Sequence, residues 1–266
     1  MSATAPALPA RRFSAHQLPI PLGYAAMLLV WQYGLGSVLP ELALDRVVGE
    51  AFQYVQGPEL WTSFAASLQR IAIGYAFAAA LGVALGLVFG LSPKLEDLLD
   101  PLIAVVRPIS PLGWLPFAIV WFGVSEGAAV FLIAYAAFFP IFLNTLRGVR
   151  NMPITFREAA VTLGAGPLTI VRRVMLPAAL PSVLTGLRLG MGLSWSAIVA
   201  AELAIGFVLQ AGIGYLMLTY AVITYDLSRL VVLTLFVAAV GLALDTALRK
   251  LVQQALPWRE GLRANG

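Results

Sequence analysis

Long apolar runs without a charged residue dominate the chain. Four of them cover 18–40, 71–91, 108–125 and 127–146. A helix needs about 17–25 apolar residues to cross the hydrocarbon core of a bilayer, and each run has this length. Membrane β-strands would instead alternate apolar and polar residues in segments of about ten, which these runs do not do. The pattern therefore predicts an all-α chain that crosses a membrane several times.

Two further runs complete a prediction of about six transmembrane helices. One extends from about 177 to 201 and is broken only by Arg188, and the other covers about 230–248 with Asp245 near its end. The uncharged run 203–225 is ambiguous, because it contains polar residues and a Gly-Ile-Gly kink. We interpret it as a re-entrant or surface-lying segment, which is allowed where protein or water covers its backbone, with a full crossing as the alternative.

The composition supports a membrane protein and excludes other classes. Of 266 residues, 60% are hydrophobic and 11% are charged, and the mean hydropathy is +0.88. Soluble domains have about 25% charged residues, so this chain could not cover a soluble surface. It contains no cysteine, which excludes a disulfide scaffold.

The distribution of basic residues predicts the orientation. With six spans and both termini inside, 13 of the 17 Lys and Arg residues lie on the cytoplasmic side, as the positive-inside rule requires. This divides the chain into a cytoplasmic N-terminal segment (1–17), a transmembrane domain (18–250) and a cytoplasmic tail (251–266). The segment Glu41–Trp61 is then an external loop.

Small residues recur on the second predicted helix. Gly82, Gly86 and Gly90 are spaced four residues apart, which lets two helix backbones approach closely. Packing within one bundle and packing between two subunits both fit this pattern.

The basic stretch from Arg147 to Pro181 has the marks of an ordered cytoplasmic loop. Thr155 and Glu158 fit a capping box, in which Thr155 caps a helix N-terminus. Gly164 is suited to end that helix in a left-handed conformation, and Pro167 to begin the next. We therefore expect a helix of about two turns, a tight turn, and a second helix that enters the membrane at Leu176-Pro177. An interfacial helix on anionic lipid and a docking element for a cytoplasmic partner both explain this order.

The spacing of residues in this loop resembles a known signature. In the EAA loop of bacterial ABC importer permeases, Glu-Ala-Ala is followed at fixed distances by Gly, an aliphatic residue and Leu-Pro. The matching residues here are Glu158, Ala159, Ala160, Gly164, Val174, Leu176 and Pro177. The family usually has Ile where this chain has Val174, which is a conservative difference.

Further segments resemble the branch of these permeases that serves nitrate, taurine, aliphatic sulfonates and bicarbonate, and the aliphatic sulfonate permeases most. The segments are 110–116, 121–123, 139–141, 144–145, 186–188, 193–195, 201–202 and 212–216. The external loop departs from the family, because Pro40-Glu41 replaces the expected Pro-Ser-Pro.

The resemblance implies a type I ABC importer permease in a bacterial inner membrane. Such a chain forms a homodimer, with two ATP-binding subunits beneath it and a periplasmic solute-binding protein above. The residues expected at the ATPase contact are Thr155, Glu158, Ala159, Ala160, Gly164, Leu176 and Pro177. The chain has no G-x-x-x-x-G-K-[ST] phosphate loop, so ATP and Mg²⁺ are expected on the partner ATPase and no cofactor on this chain. Membrane lipid surrounds such a subunit, and no nucleic acid partner is expected.

Two embedded charges are candidates for the translocation path or its gate. Arg107 is suited to contact a passing oxyanion, although snorkelling or pairing at a helix end also explains it. Glu202 follows a span rich in small residues, where it fits a gate, a docking contact for the binding protein, or a solvated helix end. We expect it to have an arginine partner, and Arg229 is a possible one.

Three uncharged residues are weaker candidates for the path. Trp114 and Trp195 fit either the path or the aromatic belts and packing interfaces of membrane proteins. Asn144 fits a hydrogen bond between helices better than a ligand contact. His16 is the only histidine and precedes the first span, so no metal site is expected.

The sequence favours the membrane subunit of an importer for a small anion, with an aliphatic sulfonate or taurine first. Nitrate, bicarbonate or another small nutrient is the alternative. A self-sufficient secondary transporter is less favoured, because such proteins often contain internal repeats and none is evident. An intramembrane enzyme is disfavoured by the absence of cysteine and of an HExxH motif.

Overall fold

The computed structural model describes residue 23 and residues 26–255. The predicted N-terminal segment (1–17) lies outside the described residues, as does most of the predicted C-terminal tail (256–266). The described residues form helices joined by short turns and contain no β-strand. The predicted all-α fold class is confirmed.

Apart from short 3-10 helices at Pro40–Leu42 and Pro111–Trp114, ten helical segments follow one another in the described residues, and proline begins several of them. Pro58, Pro93 and Pro167 stand at first helical positions, where the N–H that proline lacks would have no partner within the helix. The segments are α1 (Ala26–Val38), α2 (Leu44–Gln56), α3 (Pro58–Leu91), α4 (Pro93–Val106), α5 (Leu115–Phe122), α6 (Glu126–Arg150), α7 (Ile154–Thr162), α8 (Pro167–Leu209), α9 (Ile213–Ile223) and α10 (Leu227–Ala255).

Four of these helices, α3, α6, α8 and α10, are long and apolar enough to cross a membrane. They correspond to the second, fourth, fifth and sixth predicted spans. The prediction of a continuous third span over 108–125 is wrong, because Asp100–Val106 and Pro111–Phe122 meet at an angle of 91°. Pro108 and Pro111 cause the break, since proline donates no N–H and disfavours helical geometry in the residue before it.

The region around the first predicted span is described only from α1 onward. The segment predicted to be an external loop, Glu41–Trp61, is mostly helical, because α2 occupies most of it. Val47 and Tyr54 of α2 are buried against α10, while Phe52 is 71% exposed. This amphipathic pattern explains why a segment too polar to span a membrane is nevertheless helical.

The ambiguous segment 203–225 is shared by two helices. Its first part continues α8, which ends where Gln210 adopts a left-handed conformation with φ 49°. The remainder contains α9, whose 11 residues rise only about 16 Å. That is too short for a hydrocarbon core of about 30 Å. Because Ile213 is fully buried and Gly214 is also buried, α9 packs on the protein and does not form a separate span.

A stripe of glycines on α3 packs against α6 of the same chain. It consists of Gly74, Gly82, Gly86 and Gly90. A β-carbon at Gly86 would lie 2.6 Å from Thr145 Cβ, so only glycine fits this approach. Each glycine of the stripe meets a residue 59 positions later: Gly74 and Ile133, Gly82 and Ile141, Gly86 and Thr145, Gly90 and Val149. A constant separation means that α3 and α6 are parallel, so the chain between them must return along their length. The stripe therefore serves packing within one subunit rather than between two.

A second close contact places α8 against the opposite side of α6. A β-carbon at Gly148 would lie 2.6 Å from Ser182 Cβ, and one at Gly186 would lie 2.8 Å from Asn144 Cβ. A later residue of α8 meets an earlier residue of α6, so this pair is antiparallel. The main core lies among α3, α6 and α8, and fully buried aliphatic residues such as Ile133 fill it.

The close approach of α3 and α6 predicts the effect of a single methyl group. We expect Gly86→Ala to destabilise the protein by about 1–3 kcal/mol, because the new β-carbon overlaps Thr145 and the carbonyl of Phe142. Gly192→Ala is the matched control, because no heavy atom lies within 4 Å of its β-carbon. Alanine there should be neutral or stabilise by up to about 1 kcal/mol. Thermal unfolding in detergent measures the stability of both variants. Equal melting temperatures for Gly86→Ala and Gly192→Ala would contradict the close contact between α3 and α6.

Candidate functional site

A largely buried cluster of charged and polar side chains joins α3, α6 and α8, with the 60% exposed side chain of Glu126 at its solvent-facing edge. Glu202 of α8 is fully buried, and Arg70 of α3 is 4% exposed. Arg70 Nη1 donates to Glu202 Oε1 at 2.6 Å, and the Arg70 Nε and Nη2 atoms donate to the two carboxylate oxygens of Glu126. Ser67, one turn earlier on α3, donates to the Glu202 carboxylate at 2.8 Å. We call Ser67, Arg70, Glu126 and Glu202 the buried charge cluster.

The turn between α8 and α9 is fastened to the buried charge cluster. The N–H of Ile213 donates to Ser67 Oγ at 3.0 Å, and the N–H of Gly214 donates to Glu202 Oε2 at 3.0 Å. Arg70 Nη1 also donates to the Ala211 carbonyl at 2.9 Å. Buried charges are tolerated only when they are paired and hydrogen-bonded, and these bonds meet that requirement.

Two glycines make this turn possible. Gly212 has a φ of 122°, a conformation that other L-residues rarely adopt. A β-carbon at Gly214 would lie 2.5 Å from the Val199 carbonyl, so a side chain there would push α9 away from α8. The Gly-Ile-Gly sequence thus allows the backbone to reach Glu202.

These contacts correct the sequence interpretation of Glu202. It lies within α8 and is fully buried, so it is not a solvated carboxylate at a helix end. Its arginine partner is Arg70 and not Arg229. Arg229 is partly exposed and lies 3.5 Å from a Glu50 oxygen and 3.3 Å from an Asp226 oxygen.

The sequence analysis did not single out the other members of the cluster. The sequence does contain a pattern that could have pointed to Ser67 and Arg70. They are three residues apart, which places them on one face of a helix that continues into an uncharged run. An arginine on that face needs a buried counter-charge. Nothing in the local sequence around Glu126 points to it.

A cavity of about 680 Å³ opens beside the break between α4 and α5. Its polar lining residues come from three segments, the α4–α5 break, α6 and α8: Arg107, Ser110, Tyr135, Asn144, Arg147 and Ser196. The remaining lining residues are apolar, and no acidic side chain of the described residues is among them. Two cations without a lining carboxylate give the cavity a positive potential. Two of the predicted path residues, Arg107 and Asn144, lie here.

The bent backbone presents Arg107 to this cavity. Arg107 directly follows the last residue of α4, where the prolines interrupt the helix. The Tyr135 hydroxyl, on α6, lies 2.8 Å from the Val106 carbonyl and 3.1 Å from the Ile109 carbonyl, and it donates to this pair. Tyr135 thus fastens the two carbonyls that flank Arg107.

Asn144 does not form the hydrogen bond between helices that we expected. Its Nδ2 donates to the carbonyl of Pro140 in the same helix at 2.7 Å. The side chain is therefore held along α6, at the wall of the cavity.

The two candidate tryptophans do not line this cavity. Trp195 is 6% exposed and donates from Nε1 to the Val237 carbonyl of α10 at 3.1 Å. Trp114 packs against the main core, with its ring 5.5 Å from that of Tyr135. Glu202 belongs to the buried charge cluster instead, so the five predicted path residues do not form one site.

The loop between α6 and α8 contains the predicted short helix, α7. Its first residue is Ile154, and Gly164 follows it with a φ of 78°, as expected for a left-handed helix end. Helix α8 begins at Pro167 and continues through Leu176 and Pro177, also as expected, with a π-helical turn at Val171–Met175.

The predicted capping box is wrong. Helix α7 begins one residue before Thr155, and the capping position is Pro153, with no side-chain hydrogen bond to the helix end. Thr155 lies inside the first turn and cannot cap it. Pro153 sets this boundary because its extended conformation (φ −54°, ψ 128°) ends directly before the first helical residue.

Helix α7 packs only lightly on the described chain, where it contacts the beginning of α8. None of its residues is buried. Large apolar side chains along it are exposed, including Ile154 (63%) and Phe156 (55%), and Leu163 just after it is 86% exposed. A short helix with an apolar, solvent-facing surface is typical of a protein interaction site.

A known family matches most of these elements. The family of binding-protein-dependent transport system inner membrane components matches residues 78–256, from the middle of α3 to the end of α10. The chain belongs to this family. It is a multi-pass membrane permease subunit of an ABC importer.

The relatives extend this result over nearly the whole chain. A putative ABC transporter permease of Methanocaldococcus jannaschii is 38% identical over 231 residues, which are 85% of this chain and 84% of that protein. The taurine transport system permease protein of Escherichia coli is 34% identical over 259 residues, 92% of this chain and 91% of that protein. Permeases named for nitrate, bicarbonate and aliphatic sulfonates are 32–40% identical. The chain therefore belongs to the nitrate, taurine, sulfonate and bicarbonate branch, and these relatives do not single out one substrate.

A solved structure confirms the type I permease fold. An inward-facing form of the MetNI methionine ABC transporter matches with a TM-score of 0.60 over 77% of this chain and 97% of that chain. The identity is 20%, so the likeness concerns the fold alone.

The buried charge cluster predicts a large loss of stability when one carboxylate is neutralised. We expect Glu202→Gln to destabilise the protein by about 3 kcal/mol, because it leaves Arg70 buried with only one of its two counter-charges. For a protein of this size, that lowers Tm by about 6–12 °C in detergent.

The matched control is Glu50→Gln, which removes a partner of the partly exposed Arg229. A surface ion pair contributes at most about 1 kcal/mol. If both variants unfolded at the temperature of the wild-type protein, Glu202 would not have the structural role that its contacts indicate.

Proposed function

We propose that this permease imports a small anionic nutrient, with an aliphatic sulfonate or taurine as the leading substrate. The exposed helix α7 carries the importer part of the proposal, because it offers a partner a rigid surface that the chain itself leaves uncovered. The substrate class is supported by relatives named for taurine, nitrate, bicarbonate and aliphatic sulfonates. Nitrate, bicarbonate or another small nutrient is the alternative.

The assembly in this proposal contains two copies of the chain, two ATP-binding subunits and a solute-binding protein. Helix α7 enters a cleft on the ATPase, and both termini are on the same cytoplasmic side. The contact region consists of Thr155, Glu158, Ala159, Ala160 and Gly164, with Leu176 and Pro177 where α8 leads into the membrane. ATP and Mg²⁺ are bound by the ATPase subunits.

The buried charge cluster and α7 then lie at opposite ends of the membrane domain. Glu126 begins α6, and α7 follows the end of α6, whose 25 residues extend about 37 Å. With α7 in the cytoplasm, the cluster lies near the outer face, close to where the binding protein docks. In this position Glu202 keeps α9 in place at the outer mouth, and Arg107 and Asn144 line the path on the way to the cytoplasm.

Reconstitution tests the importer and its substrate class together. Proteoliposomes containing the permease, its ATPase and its binding protein should hydrolyse ATP several-fold faster with the correct anion among taurine, ethanesulfonate, nitrate and bicarbonate, and should take that anion up. Uptake by the permease without the ATPase would instead support a secondary transporter. Stimulation by none of the four anions would overturn the proposed substrate class.

The turn after α7 predicts a defect in assembly. We expect Gly164→Val to weaken association with the ATPase at least severalfold, because valine is strained at a φ of 78° and would displace α7. Gly166→Val is the matched control, because Gly166 is extended (φ −73°, ψ 162°) and has open space around its β-carbon. Co-purification of the ATPase with each variant measures this. Equal yields for the two variants would contradict the proposed role of α7.

A further inference from the structure

We infer that Arg107 and Arg147 together form a weak anion-binding site in the cavity beside the α4–α5 break, and that Tyr135 positions Arg107 for it. The inference rests on the proposed function, since it names the groups that hold the anion on its way through the permease. Its ligand is a small monovalent oxyanion with a planar or tetrahedral head, such as a sulfonate or nitrate.

The first observation is which arginines are paired with carboxylates and which are not. Elsewhere in the membrane domain, buried or half-buried arginines are neutralised: Arg70 by Glu126 and Glu202, and Arg188 by Asp245 at 2.7 Å. Arg107 and Arg147 are exposed, have no ion pair among the described residues, and line the same cavity. A guanidinium offers planar paired donors that match oxyanions, and here the donors are not engaged by a carboxylate.

The second step is the character of the cavity. Its volume of about 680 Å³ is in the range of sites for ligands much larger than a small oxyanion. The lining is mainly apolar, with hydroxyl and amide groups supplied by Ser110, Ser196 and Asn144. Such a site attracts anions by charge and does not enclose them by shape. Weak binding suits a transport path, because a transported ion must also leave.

The third step is the role of Tyr135. Its hydroxyl bonds to the carbonyls of Val106 and Ile109, which flank Arg107 at the point where the helix is broken. Without this bond the two carbonyls lose their contact to α6, and the segment that carries Arg107 loses its fixed position. Tyr135 is therefore a positioning residue for Arg107.

The absence of cysteine in the chain makes the cavity accessible to a direct test. Ser196 lines the cavity and is exposed, so Ser196→Cys places a single thiol there. The full complex is treated with an anionic reagent, sulfonatoethyl methanethiosulfonate, or with its cationic counterpart, trimethylammonioethyl methanethiosulfonate. The ratio of the two reaction rates reports the local potential, because one reagent is attracted and the other repelled.

We expect Arg107→Gln and Arg147→Gln each to lower the anionic-to-cationic rate ratio at this thiol by about fourfold or more, as a charge within about 10 Å would. Arg107→Lys and Arg147→Lys should preserve the ratio, because the charge remains. Lys250→Gln removes one charge outside the cavity and should leave it unchanged. A ratio insensitive to both glutamine variants would overturn the inference. The thiol reaction requires no transport, so this failure is distinct from a failure of the proposed importer.

The positioning role has its own readout. Tyr135→Phe removes only the hydroxyl, and we expect it to lower the rate ratio as Arg107→Gln does. The double variant should show no further decrease, because both changes act on the same charge. A Tyr135→Phe ratio equal to that of the parent, or a fully additive double variant, would overturn this role.

Transport gives the last test. In proteoliposomes transporting ethanesulfonate or nitrate, the Arg107→Gln, Arg147→Gln double variant should move several-fold less anion per ATP hydrolysed, while ATP hydrolysis is still stimulated by the binding protein. An equal loss of uptake and hydrolysis would indicate a merely structural role and would overturn the inference.

Discussion

The buried ion pair between Arg70 and Glu202 is the constraint on which the geometry of the membrane domain depends. Two charges removed from water are tolerated only when their attraction and their hydrogen bonds offset the lost hydration. The groups that make these bonds come from α3, α6, α8 and the start of α9. None of these elements can move alone without leaving a charge or a backbone amide unsatisfied.

The glycine contacts extend this rigid unit toward α7. Helix α6 is within backbone contact distance of α3 on one side and of α8 on the other. Closely packed interiors transmit displacement rather than absorb it. Because α7 is connected directly to the end of α6 and to the beginning of α8, a force on α7 acts on both helices at once. The cavity lies between these two helices and the α4–α5 break, so its shape changes when they move relative to that break.

The long spans and the turn after α7 could be predicted because their causes are local. An apolar run predicts a span, and Gly164 and Pro167 predict a helix end and a helix start. The 91° break was missed because hydropathy reports burial in lipid and not direction. The capping box failed because the capping position is Pro153, two residues before Thr155. The partner of Glu202 is 132 positions away, and pairing across such a distance has no local signal.

The arginines of this chain show how a protein with few charges separates structure from function. Arg70 is buried and Arg188 is half-buried, and both are paired with carboxylates on other helices. Arg107 and Arg147 are exposed and face a cavity whose described lining contains no carboxylate. An arginine that is paired with a carboxylate inside the protein has its charge neutralised and attracts an anion less strongly. Arginines in a cavity without a carboxylate retain theirs, and an anion that enters supplies the missing counter-charge.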